Sequence, residues 1–370
     1  RANEEEGSLL GVLDHTRTPM GARLLRQWLA QPLVDRARLE QRLDALALWL
    51  GDTARRLELR EVLRQVGDVE RLVNRVVGGN ASPRDLVSLR QGLSHVPQVR
   101  SLAKTIGADL SGLEDCEDVV ALLNTALVDD PPAVLGKGNI FRSGYSEELD
   151  SIQRDVKGAK EWIAGLERRE QNRTGIKSLK VGYNKVFGYY LEVTKAQQKL
   201  VPPDYIRKQT LVNSERYVTP ELKEVESLIL NADEHILDLE SQLFRQICDQ
   251  VASAASRIHA TAKYLAYLDV VSNLAEVAAT HHYSRPELAE DLRLDIEGGR
   301  HPVVEQTQRR EPFVPNDVHL SDEARILIIT GPNMAGKSTY LRQVALIVLM
   351  AQVGSYVPAD AAHIGLVDRI

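Results

Sequence analysis

Apolar residues recur along this chain at two different spacings, and the switch between them marks out its parts. Up to about Tyr145 they come in short runs, three and four residues apart. Leu39, Leu43, Leu46 and Leu50 form one such stripe, stopped by Gly51, which predicts a helix with one buried face. Ser82-Pro83-Arg84-Asp85 reads as an N-cap with proline in the first turn, so another helix is expected from there to Leu93. Asp130-Pro131-Pro132 and Gly136-Lys137-Gly138-Asn139 are breakers, which makes Asp129 to Ser143 a loop.

Beyond the loop, Leu149, Ile152, Val156, Ala159, Ile163 and Leu166 alternate steps of three and four. That is a heptad seam on a long helix, weakened by Gly158 and Gly165 and ending near Asn172 to Gly175. The step then drops to two. Leu179, Val181 and Tyr183, and after Asn184-Lys185 the series Phe187, Tyr189, Leu191 and Val193, predict a β-hairpin. Pro202-Pro203 marks a loop, and Thr210 to Tyr217 could form a further strand. Thr219-Pro220-Glu221 opens a second long helix, with the helical spacing kept from Leu222 to Leu268 and one stutter near Leu243. Unbroken to Ala279, it would be about 90 Å long. Two seam-bearing helices that flank a small β module are expected to run antiparallel, with the module at their tip. From about Leu292 the class changes again. Arg325 to Thr330 is a short apolar run; a glycine turn follows, then an amphipathic stretch from Lys337 to Val353, with Gly354 at C′ and Pro358 beyond. That order reads as strand, loop, helix.

The chain has 370 residues, 43% of them hydrophobic and 26% charged, which fits two or three ordinary globular domains. No run approaches the ~20 apolar residues of a membrane span, and no signal-peptide pattern opens the chain, so a cytoplasmic protein is expected. Cys116 and Cys248 have no CxxC or histidine companion, which favours two buried thiols over zinc. The charge is uneven. Between Arg168 and Lys223 stand twelve basic and five acidic residues, so this window carries +7 in a chain whose net charge is −6. A small basic module inside an acidic protein points to a polyanionic partner more than the total does.

Gly331-Pro332-Asn333-Met334-Ala335-Gly336-Lys337-Ser338 matches G-x-x-x-x-G-K-[ST]. Glycines let the backbone turn close to phosphate, and successive N–H groups and the helix N-terminus face the anion. Lys337 would supply charge to the β and γ phosphates, and the Ser338 hydroxyl would ligate Mg²⁺. An ordinary glycine turn is the bland alternative. The motif points to a nucleotide without choosing ATP or GTP. No apolar strand ending in an acid follows it: Asp360 and Asp368 lack the preceding run, so the Walker B half of a hydrolytic site is read as absent and no catalytic residue is assigned.

The stretch LIITGPNMAGKSTY from Leu327 to Tyr340 resembles the nucleotide loop of the MutS family of DNA mismatch-repair ATPases. GSYVPA (Gly354 to Ala359), VDRI (Val367 to Ile370), EGGRHPVVE (Glu297 to Glu305), KVGYNKVFGYYLEV, RKQTLVNSERYVTPELKE and TRTPMGARLLRQWLAQPL (Thr16 to Leu33) are similar to other parts of that family, in colinear order. The resemblance implies a mainly α multidomain chain with a small β clamp and a partial α/β P-loop ATPase domain of ABC type. It implies a helical core over 1–145, a first lever helix over 146–172, the clamp over 173–218, a second lever helix over 219–280 and part of the ATPase domain over 281–370. ATP and Mg²⁺ are the implied cofactors. Phe313 matches an adenine-stacking aromatic, Asn333 lies near the phosphates, and Pro332, Met334, Ala335 and Thr339 complete the loop. Ala335 stands where the family usually has glycine. Mismatched duplex DNA, a second copy of the complete protein and a MutL-type factor are the implied partners. The family's mismatch-reading and connector domains, Walker B, the ABC signature and the dimerisation helices have no counterpart here, so little ATPase activity is expected of the chain alone.

For DNA, the candidates are Lys180, Asn184 and Lys185 on the hairpin, then Arg207, Lys208, Gln209, Thr210, Asn213 and Arg216. Basic and amide groups suit phosphate contacts that position without reading sequence; a solvated surface charge is the alternative for each. His281-His282 is read as a helix-end pair rather than a metal site, and His301 as structural within an entry strand. Two other functions compete: an SMC-like DNA-organising arm, which should show longer heptads and a hinge, and a MutS-like paralogue acting in recombination.

Overall fold

The computed structural model describes residues 7–307, 312–332 and 335–370. Asn333 and Met334 of the glycine loop therefore lie outside the described residues. In chain order the elements are helices α1 (Leu9–Leu13), α2 (Pro19–Ala30), α3 (Arg36–Gly51), α4 (Thr53–Val66), α5 (Val69–Val77), α6 (Pro83–Ser94), α7 (Val96–Thr105), α8 (Glu117–Ala126) and α9 (Glu147–Thr174). Strands β1 (Lys180–Asn184), β2 (Gly188–Thr194), β3 (Ile206–Thr210) and β4 (Ser214–Val218) follow. Then come α10 (Pro220–Ser253), α11 (Ala255–His281), β5 (Glu287–Ala289), β6 (Leu294–Gly299), α12 (Pro302–Thr307), β7 (Asn316–Leu320), α13 (Lys337–Val353) and β8 (Ala361–Gly365). The chain is mainly helical with two small four-stranded sheets. No described helix is long and apolar enough to cross a membrane.

The fold divides into two compact units. One comprises Arg1–Ala81, Ser88–Ala121 and Val251–Ile370. Its core is α11, which is buried on nearly every side from Leu265 to Ala278 and packs against α2, α3, α4 and α5. The predicted stripe on α3 faces inward: Leu39, Leu43 and Leu46 are fully buried, joined by Trp49. Two of the four fully buried polar side chains of α11 hold the loop before α2. Asp269 accepts from the Arg17 and Thr18 amides at 2.9 and 2.7 Å and from the Thr18 hydroxyl at 2.7 Å. Asn273 accepts from the His15 amide at 3.0 Å and donates to the Leu13 carbonyl at 2.6 Å. Together they stitch the loop before α2 onto α11, and burial pushes the Asp269 carboxyl above its ordinary range. The Thr18 hydroxyl then caps α2 by accepting from the Gly21 amide at 2.9 Å.

This unit also holds the second sheet, in order β5-β8-β6-β7, with β5 and β8 parallel and the other pairs antiparallel. The strand expected over Arg325 to Thr330 is not formed. Ile326 and Ile328 are 85% and 83% exposed, and no described strand pairs with the run. An apolar segment becomes a strand only when a neighbour takes its N–H and C=O groups, and intrinsic β preference does not replace that neighbour. His301 is not in a strand either. It precedes α12, where its Nδ1 accepts from the Val303 and Val304 amides at 3.3 and 3.2 Å, so the ring serves as a helix N-cap. His281 and His282 close α11, with His282 in the left-handed conformation. Cys116 is buried, but Cys248 is only half-buried, unlike the expectation.

The other unit comprises Ser82–Val87 and Leu122–Gln250. The Ser82 hydroxyl and the Asp85 carboxylate cap α6 reciprocally, as its opening sequence predicts. On α9 the seam residues Leu149, Val156, Ile163 and Leu166 are buried, and Gly175 ends the helix in the left-handed conformation. Thr219 caps α10, accepting from the Leu222 amide at 3.1 Å. Glu148, at the start of α9, pairs with His235 in mid-α10, while Ile163 and Leu166 near the end of α9 cluster with Leu222 and Ile229 near the start of α10. The two helices are therefore antiparallel. The same cluster takes in Leu179, Leu191, Val193, Tyr205 and Tyr217, which seats the first sheet on that end of the helix pair. Two expectations need correction. The long helix from Thr219 is not continuous to Ala279: at Ala254 the amide bonds back to Val251 rather than one residue further, a tightened turn among small residues that separates α10 from α11. And Thr210 to Tyr217 is not one strand but parts of two, joined by a turn in which the Leu211 amide reaches the Ser214 carbonyl at 2.9 Å.

Candidate functional site

Gly331 and Gly336 both carry positive φ, 151° and 83°, a backbone that a side chain would strain. Gly336 is also the N-cap of α13 and has no side chain with which to cap it. The first backbone bond of α13 runs from the Tyr340 amide to the Gly336 carbonyl at 2.9 Å, so the amides of Lys337, Ser338 and Thr339 are left without a carbonyl of their own helix. An uncapped, positively polarised helix end is what an anion completes. Lys337 Nζ lies over the loop, donating to the Gly331 carbonyl and, at 2.6 Å, to that of Pro332. Ser338 is exposed in the first turn.

A cleft of about 750 Å³ opens beside this loop. Lys337, Gly336, Ala335, Thr339 and Phe313 all line it, so the aromatic and the amine share one cavity. Two residues that local spacing does not single out hold the helix in place. The Tyr340 hydroxyl donates to the Asp317 carbonyl at 2.9 Å, and fully buried Gln343 meets Asn316. They fix α13 to β7, the strand that follows Phe313. The signal for them is long-range and is carried by no repeat. Ala335 leaves the loop glycines their turns: its Cβ is 3.8 Å from the position a Gly331 Cβ would take.

In the basic module the strand order is β1-β2-β4-β3, all antiparallel. Register puts Lys180 opposite Glu192, Glu192 opposite Arg216, and Arg216 opposite Gln209. These four share one face, away from the core row of Val181, Leu191 and Tyr217. Glu192 takes Arg216 at 3.1 Å, Arg216 donates to Gln209 at 3.0 Å, and its guanidinium lies 4.3 Å from the Tyr190 ring centre. The same ring covers Gly182, where a Cβ would come within 2.6 Å of it. Arg207 pairs with buried Glu215 at 3.4 Å. Asn184 is a turn residue, its side chain accepting from the Val186 amide at 2.8 Å.

The nine candidates thus fall into groups that the sequence does not separate. Lys180, Gln209 and Arg216 share a face. Asn184 and Lys185 sit at one end of the sheet, whereas the Thr210–Asn213 turn sits at the other, roughly 20 Å away at ~3.3 Å per residue. Arg207 and Arg216 are held by carboxylates, whereas Lys180, Lys185 and Lys208 form no ion pair among the described residues. Lys208 occupies a bulge on the edge strand β3. Lysine on an edge strand also blocks strand addition, an alternative use of the same residue. Two residues that spacing does not single out brace the hairpin. Buried Glu226 on α10 accepts from the Tyr189 amide at 3.0 Å, and Lys223 donates to the Phe187 carbonyl at 3.0 Å.

Residues 1–275 match the family model described as MutS domain III, and residues 327–370 match MutS domain V. This chain belongs to the MutS family. A protein named DNA mismatch repair protein MutS from Acetivibrio thermocellus is 50% identical over all of this chain, which spans 43% of that relative. Its namesake from Salinibacter ruber is 52% identical over 99% of the chain and 41% of the relative. Another, from Methanococcoides burtonii, is 49% identical over the whole chain and 43% of the relative. The chain therefore spans somewhat under half the length of the MutS relatives it matches. MutS membership agrees with the mainly helical, two-unit architecture described above.

Proposed function

We propose that this chain is the part of a MutS-type DNA mismatch-repair ATPase that binds ATP and grips duplex DNA. The observation that carries the reading is the shared cleft: Lys337, an uncapped helix end and Phe313 converge on one cavity in a chain about half identical to MutS proteins. The fit to a nucleotide is chemical. The free amides of Lys337, Ser338 and Thr339 can take phosphate oxygens, Lys337 can turn from its own loop carbonyls to the β and γ phosphates, and the exposed Ser338 hydroxyl can join a Mg²⁺ shell. Phe313 would stack on the base; Gly331, Pro332, Asn333, Met334, Ala335 and Gly336 would form the backbone cradle. Bound Mg-ATP supplies the anhydride whose cleavage drives cycling. For DNA, Lys180, Lys185 and Lys208 are the proposed phosphate contacts, with Gln209, Thr210, Asn184 and Asn213 as supporting amide and hydroxyl groups. Arg207 and Arg216 order the sheet. The assembly proposed is the family's own: a dimer of the complete protein on mismatched duplex in the cytoplasm, answering to a MutL-type factor.

Lys337→Ala tests the reading. Binding of a fluorescent ATP analogue should fall at least a hundredfold while the far-ultraviolet dichroism stays the same. Unchanged binding would falsify the phosphate-loop assignment.

A further inference from the structure

Away from both proposed sites, a pocket of about 680 Å³ opens among α2, α3, α5 and α11. Its size is that of a small-molecule site. Trp28 and Tyr267 form an aromatic wall, their ring centres 6.1 Å apart. Around it stand Arg38, Arg42 and Lys263. The acid in the lining, Glu70, is already engaged: it takes Arg23 at 2.5 Å, and Arg23 also pairs with Asp68 at 2.7 Å. Among the described residues Arg38, Arg42 and Lys263 form no ion pair. Arg42 rests on neutral partners only. Its guanidinium lies 3.5 Å from the Trp28 ring centre and donates to the Val353 carbonyl at 2.7 Å. Burial, then the neighbouring charge of Arg38 one turn earlier on α3, lowers its pKa to about 10.

Three cations thus line one pocket with no ion-pair partner, one of them half-buried, and Arg38 and Arg42, one turn apart, repel each other; an anion in the pocket would relieve that. We propose that this pocket binds a small amphipathic anion: an apolar ring system bearing a carboxylate, sulfonate or phosphate group. The ring packs on Tyr267, beside Trp28, whose indole lies buried beneath the Arg42 guanidinium. The anionic group takes Arg38 and Lys263, whose exposed side chains can close on it, with Arg42 behind them. The pocket is built from side chains that neither the phosphate loop nor the β module uses, so it stands or falls independently of both.

The test uses the full chain and two probes with nearly the same rings, 8-anilinonaphthalene-1-sulfonate and its uncharged analogue N-phenyl-1-naphthylamine, followed by fluorescence titration. The sulfonate should bind with one site per chain and at least tenfold more tightly than the neutral compound, with an affinity that falls as salt rises. Arg38→Gln with Lys263→Gln should cost the sulfonate tenfold or more at an unchanged melting temperature. Arg38→Lys with Lys263→Arg, which keeps the charges, should restore binding. Equal affinity for the two probes, or full sulfonate affinity in the double glutamine variant, overturns the proposal.

Discussion

The β module and the phosphate-loop segment are both announced by short apolar runs, yet only one of them closes on itself. In the module every strand has a partner within about forty residues, and its core row is sealed by Leu179, Leu191, Val193 and Tyr217. Around the loop, the run Arg325 to Thr330 has no described strand partner and turns Ile326 and Ile328 to solvent. Both runs have β-forming composition. The difference is where the hydrogen-bonding partner lies, and that property belongs to a pair of segments, not to either one.

Hydrogen exchange should show the largest contrast. Amides of Ile326 to Ile329 should exchange near the unprotected rate, and those of Leu191, Val193 and Tyr217 about a thousandfold slower or more. Equal protection would erase the comparison. A second test attacks the module itself. Leu191 is fully buried, so Leu191→Ala should cost about 2–5 kcal/mol of the unit's stability, read by denaturant unfolding, whereas Ile328→Ala should change stability by less than about 0.5 kcal/mol.

What is legible in the sequence follows the same rule. The α3 stripe, the α9 seam, the caps at Ser82, Thr219 and Gly354 and the β1–β2 hairpin are written in residues near one another, and the structure forms them. The break at Ala254 is invisible to spacing because the apolar pattern runs straight through it. What changes there is the surroundings: the second half of α11, from Leu265 to Ala278, is buried on nearly every side. A histidine before proline carries no sign of capping, so His301 is expected within an entry strand. Among the site residues, the loop motif is readable as a unit, but the sorting of basic residues is not. Composition counts Arg216 and Lys208 alike; only register shows that Glu192 already holds one of them.

That sorting predicts a split in DNA binding. Each phosphate interaction removed should flatten the slope of log affinity against log salt by about 0.9. Lys180→Glu, Lys185→Glu and Lys208→Glu together should therefore flatten it by roughly two to three, with folding intact. Arg216→Gln should leave the slope nearly unchanged and instead lower the melting temperature, since Glu192 and Tyr190 are then without their partner. A triple variant that kept the native slope would remove the module from the DNA interface.

The smallest effect expected is a pH dependence in the sheet beside the phosphate loop, and its sign follows from one row of side chains. Register aligns Glu287, His363, Asp295 and His319 across β5, β8, β6 and β7. His363 meets Asp291 at 3.0 Å and Glu287 at 3.2 Å, and His319 meets Asp295 at 2.5 Å. Burial works against the His363 charge, but the hydrogen bonds to Asp291 and Glu287 outweigh it and leave the pKa above the ordinary histidine value. A raised folded pKa means that the imidazolium stabilises the fold below about 6.5 and that this contribution disappears as pH climbs through the folded value. The partners set the acid limit: Asp291 and Asp295 titrate below their ordinary range, so their share is lost only as pH falls through those depressed values. His363→Gln should thus lower the melting temperature by no more than about 2 °C at pH 6 and by less at pH 8, since exposed pairs contribute under about 1 kcal/mol. A loss at pH 8 as large as that at pH 6 would show that the ring acts by packing and not by charge. The short edge strand β5 would then owe its place to shape, as the module does, and the contrast between the two regions would narrow to the unpaired run alone.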